Sequence, residues 1–227
     1  NGRDYAIFAE NNIPENQRHQ LPNPVEADPT PSDPESVTAI RSSLGADKLF
    51  LYPVRALRRK NLGEFLLWSA LAEPGEVFAT TLGATNPDYR QTYRDWQSLA
   101  QRHKLPAHFG IGETSGHPSP AIMQASDCIL TTSIAEGFGL SFLEPWLFGK
   151  PVAGRDLPEI TADFTQQGIQ LDALYKNLLI PARWIKEDSL HASIGQHLNL
   201  AYAAYGREPA SDTMERAIAS IRPTEAT

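Results

Sequence analysis

Cysteine is nearly absent from the chain of 227 residues, because only Cys128 occurs, in an apolar run. A single cysteine excludes an internal disulfide framework and a zinc site built from several thiolates. Long apolar runs are also missing: no stretch approaches the roughly 18 residues of a membrane span, and the first residues lack the basic-then-apolar order of a signal peptide. We therefore expect a soluble, cytoplasmic protein without a transmembrane segment.

Positive charge is also in short supply. Lys and Arg number 20 against 27 Asp and Glu, which gives a net charge of -7. Nucleic-acid binding draws on an excess of Lys and Arg over a broad face, so we expect no nucleic-acid partner. Any site for an anion must therefore be local.

Several well-known site motifs are missing. The loop GFGLSF lacks the third glycine of the dinucleotide fingerprint, and neither GxxxxGKS nor GxxxxGKT occurs. The residues around Ser141 lack the second glycine of a nucleophile elbow, which leaves acyl-transfer chemistry unsupported. The six histidines show no HExxH or paired-ligand spacing, so we expect no metal and no cofactor.

Proline marks the first part of the chain. Six of the 18 prolines fall between Pro14 and Pro34, in a stretch that we interpret as a connector because proline propagates neither helix nor sheet. From Lys48 the pattern is regular: the apolar runs KLFLYPV, EVFATTL, DCILTTS and KPVAG alternate with helical patterns. Apolar strands alternating with helices predict an α/β fold, a doubly wound parallel sheet with helices on both faces.

The C-terminal part is less regular. After Gly154 the pattern loosens, and two helices are predicted, at about residues 188–205 and 212–221. The predicted domains are 1–22, a remnant of a preceding domain or linker; 23–187, the doubly wound domain; and 188–227, C-terminal helices packing on it.

The densest positive cluster of the sequence follows the first strand. In VRALRRK, Arg55, Arg58, Arg59 and Lys60 come just before the helix that Asn61 opens. Such sheets bind ligands outside the carboxyl ends of their strands, and cations beside helix N–H groups suit a phosphate or diphosphate. A solvated basic turn is the alternative. Within the cluster, Arg55 and Lys60 are the candidates.

A second loop, with two carboxylates, follows the strand DCILTTS. Glu136 precedes Gly137 and Gly139, which permit close backbone approach or a positive φ, and Glu144 lies about one turn into the next helix. Carboxylates at these places would accept hydrogen bonds from the hydroxyls of a polyol. A plain tight turn with a solvent-facing Glu144 is the alternative.

Together these two loops resemble one enzyme family. EGFGLSFLE matches the E-x7-E pattern of retaining glycosyltransferases, and Arg55 with Lys60 matches their R-x4-K pair. LPNPVE, FLYPVRALRRKN, HFGIG and GKPVAGRDLPEI also occur in the family's order. Over about residues 20–160 the chain resembles the C-terminal, nucleotide-sugar-binding half of a GT-B enzyme with Rossmann-like folding, most like glycosyltransferase family 4 (group 1).

The resemblance implies a role for each matched position. Arg55 and Lys60 would hold the donor diphosphate and stabilise the leaving nucleoside diphosphate, while Glu136 would bind hydroxyls of the donor sugar. Glu144 would bind the ribose. The sugar and phosphate would be cradled by the backbone of Gly137, Phe138, Gly139 and Leu140. Weaker candidates for the base pocket are Phe109, Gly110 and Ile111.

The implied activity is transfer of a hexose from a nucleoside-diphosphate sugar to an acceptor hydroxyl, with retention and without a required metal. Two alternatives stay open: a non-catalytic nucleotide or sugar-phosphate binding module, and a GT-B sugar-nucleotide epimerase. The family's N-terminal acceptor-binding domain would need about 150 or more further residues, so we expect it to be missing and this chain alone to be incomplete for turnover. Two residues depart from the family pattern: Pro145, in the predicted helix directly after Glu144, and Asn61, which follows Lys60 where the family commonly has glycine.

Overall fold

The computed structural model describes residues 2–19, 32–137 and 139–221. The chain divides into two compact units, Asn1–Asn177 and Leu178–Thr227. The predicted domain boundary after residue 22 lies outside the described residues. The second unit begins before residue 188, where the last predicted domain starts.

Strands alternate with helices throughout the first unit. Its elements, in chain order, are α1 (Gly2–Glu10), α2 (Pro34–Leu44), β1 (Lys48–Arg55), α3 (Leu62–Ala70), β2 (Glu76–Leu82), α4 (Pro87–Arg102), β3 (Ala107–His108), α5 (Ile111–Thr114), α6 (Ser119–Ala125), β4 (Cys128–Thr131), α7 (Leu140–Leu147), β5 (Val152–Arg155), α8 (Pro158–Gln166) and β6 (Leu174–Tyr175). Short 3-10 helices cover Glu15–Gln17 and Arg58–Lys60. Each of the four apolar runs quoted above contains a strand, as predicted.

The six strands form one parallel sheet in the order β3-β2-β1-β4-β5-β6. The chain winds outwards from β1 to β3, then returns to the other side of β1 and continues through β4 to β6. In the register, Phe50 of β1 lies between Phe78 of β2 and Cys128 of β4. The direction of winding therefore changes between β1 and β4, which makes their carboxyl ends a topological switch point.

Alternate residues of β1 point to opposite faces of the sheet, and both faces are covered. Leu49 and Leu51 belong to a buried cluster with residues of α2, α5 and α6. Tyr52 and Val54 belong to a second cluster, with α3 and α4. A third, smaller cluster joins α7, β5 and α8. The predicted fold class, a doubly wound parallel sheet with helices on both faces, is confirmed.

Helix α2 shows where the connector interpretation is wrong. The Asp33 side chain accepts hydrogen bonds from the backbone N–H groups of Glu35 and Ser36, each at 3.2 Å. Pro34 occupies the first turn, where its missing N–H is not needed, and Gly45 ends the helix with a φ of 64°. The last proline of the connector thus starts a helix instead of preventing one. The sequence pattern also does not predict α1, α8 or β6.

The second unit contains two longer helices after a 3-10 helix at Ala182–Trp184. They are α9 (Glu187–Ala203) and α10 (Thr213–Ile221). Both predicted C-terminal helices are therefore confirmed to within a few residues, and their packing on the first unit stays a prediction. In the ranges described above, every helix is too short or too polar to span a membrane.

Candidate functional site

Two loops meet at the switch point between β1 and β4. Residues 56–61 join β1 to α3, and residues 132–139 join β4 to α7. The Ile134 N–H donates to the Arg59 carbonyl at 2.9 Å, and Thr132 Oγ1 donates to the Lys60 carbonyl at 3.0 Å. Because open α/β sheets bind ligands outside the strand ends at such a point, this switch-point crevice is the candidate site.

The two predicted residues Lys60 and Glu136 are in direct contact in the switch-point crevice. Lys60 Nζ forms an ion pair with Glu136 Oε1, and each side chain is only 9% exposed. Arg59 Nη1 donates to Glu136 Oε2 at 2.5 Å, and Ser133 Oγ donates to Oε1 at 2.6 Å. Both oxygens of the carboxylate are therefore engaged before any ligand binds.

Burial and charge act against each other in this ion pair. Burial is the largest single influence on Glu136 and raises the pKa of its carboxyl, but hydrogen bonds from Lys60 and Ser133 outweigh it and bring the pKa below 4.5. Burial lowers the pKa of Lys60 from 10.5, and the Glu136 carboxylate offsets part of that decrease. Glu136 is thus an ionised carboxylate at neutral pH, held by the cations beside it.

Three fully buried hydroxyl side chains lie behind Glu136: those of Tyr52, Thr132 and Ser133. Tyr52 Oη lies 2.6 Å from Ser133 Oγ and 3.0 Å from the Lys60 carbonyl oxygen. Burial raises the pKa of Tyr52 to about 12, so its hydroxyl stays protonated at neutral pH. The sequence gives no signal for this arrangement, because Tyr52 reads as one more apolar residue of a strand.

Arg55, the other predicted cation, stands apart from this pair. It is the last residue of β1, it is exposed, and its Nη1 donates to Thr85 Oγ1 at 3.3 Å. In the described parts of the chain Arg55 takes part in no ion pair. Arg59, which belongs to the same positive cluster but was not selected from the sequence, holds the place next to Glu136 instead.

The two glycines after Glu136 have different structural roles. Gly139 directly precedes α7 with a φ of 77°, and a Cβ at this position would lie 2.5 Å from Ile160 Cγ2, so only glycine fits. Gly137 lacks a left-handed φ, and a Cβ on it would meet nothing within 4 Å. Gly139 is therefore required by the fold, whereas Gly137 faces open space at the mouth of the crevice.

The remaining predicted residues of this loop are less engaged. Phe138 lies outside the described residues. Leu140 is the first residue of α7 and is half-buried, and Glu144 is exposed on the same helix. Pro145 does not break α7, which continues to Leu147. Within the described ranges the Glu144 side chain takes part in no hydrogen bond or ion pair, and so in none with Glu136.

The predicted base loop after β3 uses its side chains for packing. The Phe109 ring packs edge-to-face against Phe65 and Tyr93, with centroid distances of 6.0 and 5.8 Å. Ile111 is only 4% exposed, and Gly110 has a φ of 71°. This leaves mainly the backbone of the loop to contact a ligand.

A second buried polar cluster, which the sequence analysis missed, surrounds the first turn of α3. Glu64 accepts hydrogen bonds from Asn61 Nδ2 at 2.8 Å and from Tyr175 Oη at 2.5 Å, and it forms an ion pair with Arg155. Trp68 Nε1 donates to Tyr175 Oη at 2.9 Å. The cluster ties the end of loop 56–61 to β5 and β6. Among the described residues, no group of three or more His, Cys, Asp or Glu could hold a metal ion.

The chain is similar in sequence to a synthase of known name. No family model matches it. The mannosylglucosyl-3-phosphoglycerate synthase of Petrotoga mobilis is 28% identical over an alignment of 171 residues, which covers 71% of this chain and 34% of that protein. The chain thus spans about a third of the length of this relative.

Solved structures share the fold of the chain. The Anabaena protein HepE, in complex with UDP-glucose, superposes with a TM-score of 0.54 at 19% identity, covering 85% of this chain and 50% of HepE. The pneumococcal O-GlcNAc transferase GtfA, in complex with UDP and GlcNAc, gives 0.52 at 17% identity, covering 86% of this chain and 36% of GtfA. The α/β fold is therefore that of the Rossmann-like half of a GT-B glycosyltransferase, as the resemblance implied.

Proposed function

We propose that this chain is the donor-binding half of a retaining glycosyltransferase of the group 1, family 4 type, acting in the cytoplasm. The observation that carries the proposal is the meeting of Lys60, Arg59 and Glu136 at the switch point of a GT-B half-domain. Two findings support it: HepE and GtfA were solved with UDP and sugar ligands, and the sequence relative is a synthase of a glycosylated phosphoglycerate.

In this proposal the diphosphate of a nucleotide sugar replaces Glu136 as the partner of the cations. Lys60 and Arg59 are paired with one carboxylate, which carries a single charge, whereas a diphosphate offers more charge and more acceptor oxygens. Arg55 at the rim adds a third cation. The first turn of α7 contributes N–H groups that have no partner inside the helix. The crevice therefore favours an anion rich in phosphate.

The donor sugar and nucleoside would lie on either side of this diphosphate. Glu136 would accept hydrogen bonds from sugar hydroxyls, next to the open space in front of Gly137. The backbone of Gly137, Gly139 and Leu140 would line the sugar and phosphate. Glu144, exposed on α7, would reach the ribose, and the backbone of residues 109–111 would contact the base.

The proposed reaction transfers a hexose to an acceptor hydroxyl. The bond between the anomeric carbon and the phosphate oxygen breaks, the acceptor oxygen bonds to that carbon with the same configuration, and the hydroxyl proton is released. Negative charge grows on the leaving nucleoside diphosphate, where Lys60, Arg55 and the α7 N–H groups would stabilise it. The acceptor site would belong to the part of the relatives' length that this chain does not span.

Calorimetry tests the donor site directly. We expect UDP-glucose, GDP-mannose or ADP-glucose to bind the chain. Arg55→Ala and Lys60→Ala should each lower the affinity for that nucleotide sugar about tenfold or more, because a charge-assisted contact contributes about 1.5–3 kcal/mol. Arg102→Ala is the matched control. Arg102 is exposed at the end of α4, just before β3 begins, and therefore lies on the side of the amino ends of the strands, away from the crevice. Circular dichroism checks that each variant is folded. If none of the three nucleotide sugars binds at millimolar concentration, the assignment of the crevice is wrong.

A further inference from the structure

The hydroxyl contacts behind Glu136 outnumber the protons available to make them. Tyr52 Oη contacts both the Lys60 carbonyl and Ser133 Oγ, and Ser133 Oγ also contacts Glu136 Oε1. Each hydroxyl carries one proton. Tyr52 and Ser133 therefore supply two protons to three contacts, and one contact has to lack a proton.

The charge of Glu136 decides the direction of these hydrogen bonds. An ionised carboxylate only accepts, so the Ser133 proton points to Oε1 at 2.6 Å. Ser133 Oγ then has no proton left for its contact with Tyr52 at 2.6 Å, so Tyr52 is the donor there, and the longer contact of Tyr52 with the Lys60 carbonyl at 3.0 Å is the one without a proton. The Lys60 carbonyl keeps a donor of its own, because Thr132 Oγ1 lies 3.0 Å away. The result is a one-way chain from Tyr52 to Ser133 to Glu136.

We propose that Tyr52 and Ser133 are positioning residues, whose one-way hydrogen-bond chain fixes the orientation of the Glu136 carboxylate in the switch-point crevice. Both side chains have no exposed surface, so water does not replace a lost hydroxyl at this depth without rearrangement. Packing alone does not require the Tyr52 hydroxyl: its ring contacts Phe65 in an otherwise apolar cluster, where phenylalanine would fill the same space.

The hydrogen-bond chain matters most when a ligand draws the two cations away from Glu136. Lys60 and Arg59 form ion pairs with Glu136, but under the proposed function a diphosphate competes for both cations. Ser133 lies on the protein side of the carboxylate and remains its donor. Glu136 would then keep the orientation in which it accepts hydrogen bonds from sugar hydroxyls. The ligand part of this inference rests on the proposed function, whereas the hydrogen-bond chain does not.

The test without ligand is a ¹³C NMR titration of glutamate carboxyls in the full chain, with Glu136 assigned from Glu136→Gln. The charged groups facing Glu136 are Lys60 and Arg59 from loop 56–61, and the titratable hydroxyl of Tyr52 lies behind Ser133 on β1. We expect Ser133→Ala to raise the Glu136 pKa by about one unit, since a hydrogen bond to the ionised form is lost. Tyr52→Phe should raise it less.

The double variant distinguishes a hydrogen-bond chain from two independent effects on the Glu136 pKa. If Tyr52 acts on Glu136 through Ser133 and not through its contact with the Lys60 carbonyl, Tyr52→Phe with Ser133→Ala should give the same Glu136 pKa as Ser133→Ala alone. Tyr89→Phe is the control: Tyr89 is also buried beside α3 but does not contact Glu136. Only pH values at which circular dichroism shows full folding are used. Additive shifts, or an unchanged Glu136 pKa in both single variants, would overturn the proposal.

Ligand binding at neutral pH gives a second readout. UDP and UDP-glucose are the probes, and the quantity of interest is the ratio of their dissociation constants. Tyr52→Phe and Ser133→Ala should leave UDP affinity within about twofold but weaken UDP-glucose binding, because only the sugar contacts Glu136. The Kd of UDP divided by the Kd of UDP-glucose should therefore fall. If the wild type binds neither these probes nor GDP-mannose or ADP-glucose, the proposed function fails while the titration still decides the hydrogen-bond chain. If UDP and UDP-glucose weaken equally, Tyr52 and Ser133 support the fold and do not position Glu136.

Discussion

Replacing Gly139 with alanine should destabilise the protein for two separable reasons. The residue has a φ of 77°, and holding an alanine in the left-handed region costs about 1–2 kcal/mol. Its new Cβ would lie 2.5 Å from Ile160 Cγ2 and 3.2 Å from Phe164 Cζ, so α8 has to shift, which costs about 1–3 kcal/mol in a packed core. We expect the free energy of unfolding to fall by about 2–5 kcal/mol.

Gly137→Ala is the matched control two positions earlier. Gly137 lacks a left-handed φ, and a Cβ there meets nothing within 4 Å, so its free energy of unfolding should stay equal or rise by up to about 1 kcal/mol. Urea unfolding followed by tryptophan fluorescence and by far-UV circular dichroism measures both variants. A Gly139→Ala variant as stable as the wild type, or equal losses in both variants, would refute the assignment of these glycines.

Three further predictions concern the buried charges and hydroxyls. Arg155→Ala leaves the Glu64 carboxylate buried without its partner and should lower the free energy of unfolding in urea by about 3 kcal/mol, whereas Arg216→Ala, in an exposed pair, should change it by less than about 1 kcal/mol. Equal losses in these two variants would contradict a structural role of the α3 cluster. Because the pKa of Tyr52 is raised from 10.0 to about 12, the unfolded chain ionises first, and about 2 kcal/mol of stability should be lost as the pH rises from 10 to 12. Urea unfolding across that range should show a smaller loss in Tyr52→Phe than in the wild type. The lowered pKa of Glu136 stabilises the fold above 4.5 and less as the pH falls through its folded value, so Glu136→Gln should show a shallower loss of unfolding free energy in acid.

The central part of the fold was accessible from the sequence because its strands are buried on both faces. KLFLYPV and EVFATTL read as continuous apolar runs, and the structure places them as β1 and β2. Helix α2 was missed because its start depends on the side chain of Asp33 capping two backbone N–H groups, a local geometry that a proline-rich stretch conceals. Strand β6 has only Leu174 and Tyr175, too few residues to show a period.

The candidate site was accessible only in part. Lys60 and Glu136 are candidates from the sequence because each lies in a loop that follows a predicted strand, and the parallel sheet brings the two loops together. Arg59 was not selected, because its neighbours in the sequence cannot show which arginine of a cluster faces a carboxylate 77 positions later. The burial of Glu64 is not predicted for the same reason, since its partner Arg155 is 91 positions away in the sequence. Pairings of this kind depend on strand order, which periodicity does not report.

The ion pair at the switch point also has a thermodynamic consequence. Glu136 is already the counter-anion of Lys60 and Arg59, so a ligand would gain only the difference between its attraction to these cations and that of the carboxylate it displaces. A neutral sugar gains nothing from this exchange, and a monoanion gains little. Added salt screens Arg59, which is 44% exposed, more than the buried Lys60. Under the proposed function, the displacement of Glu136 from its cations would favour multiply charged ligands over neutral ones.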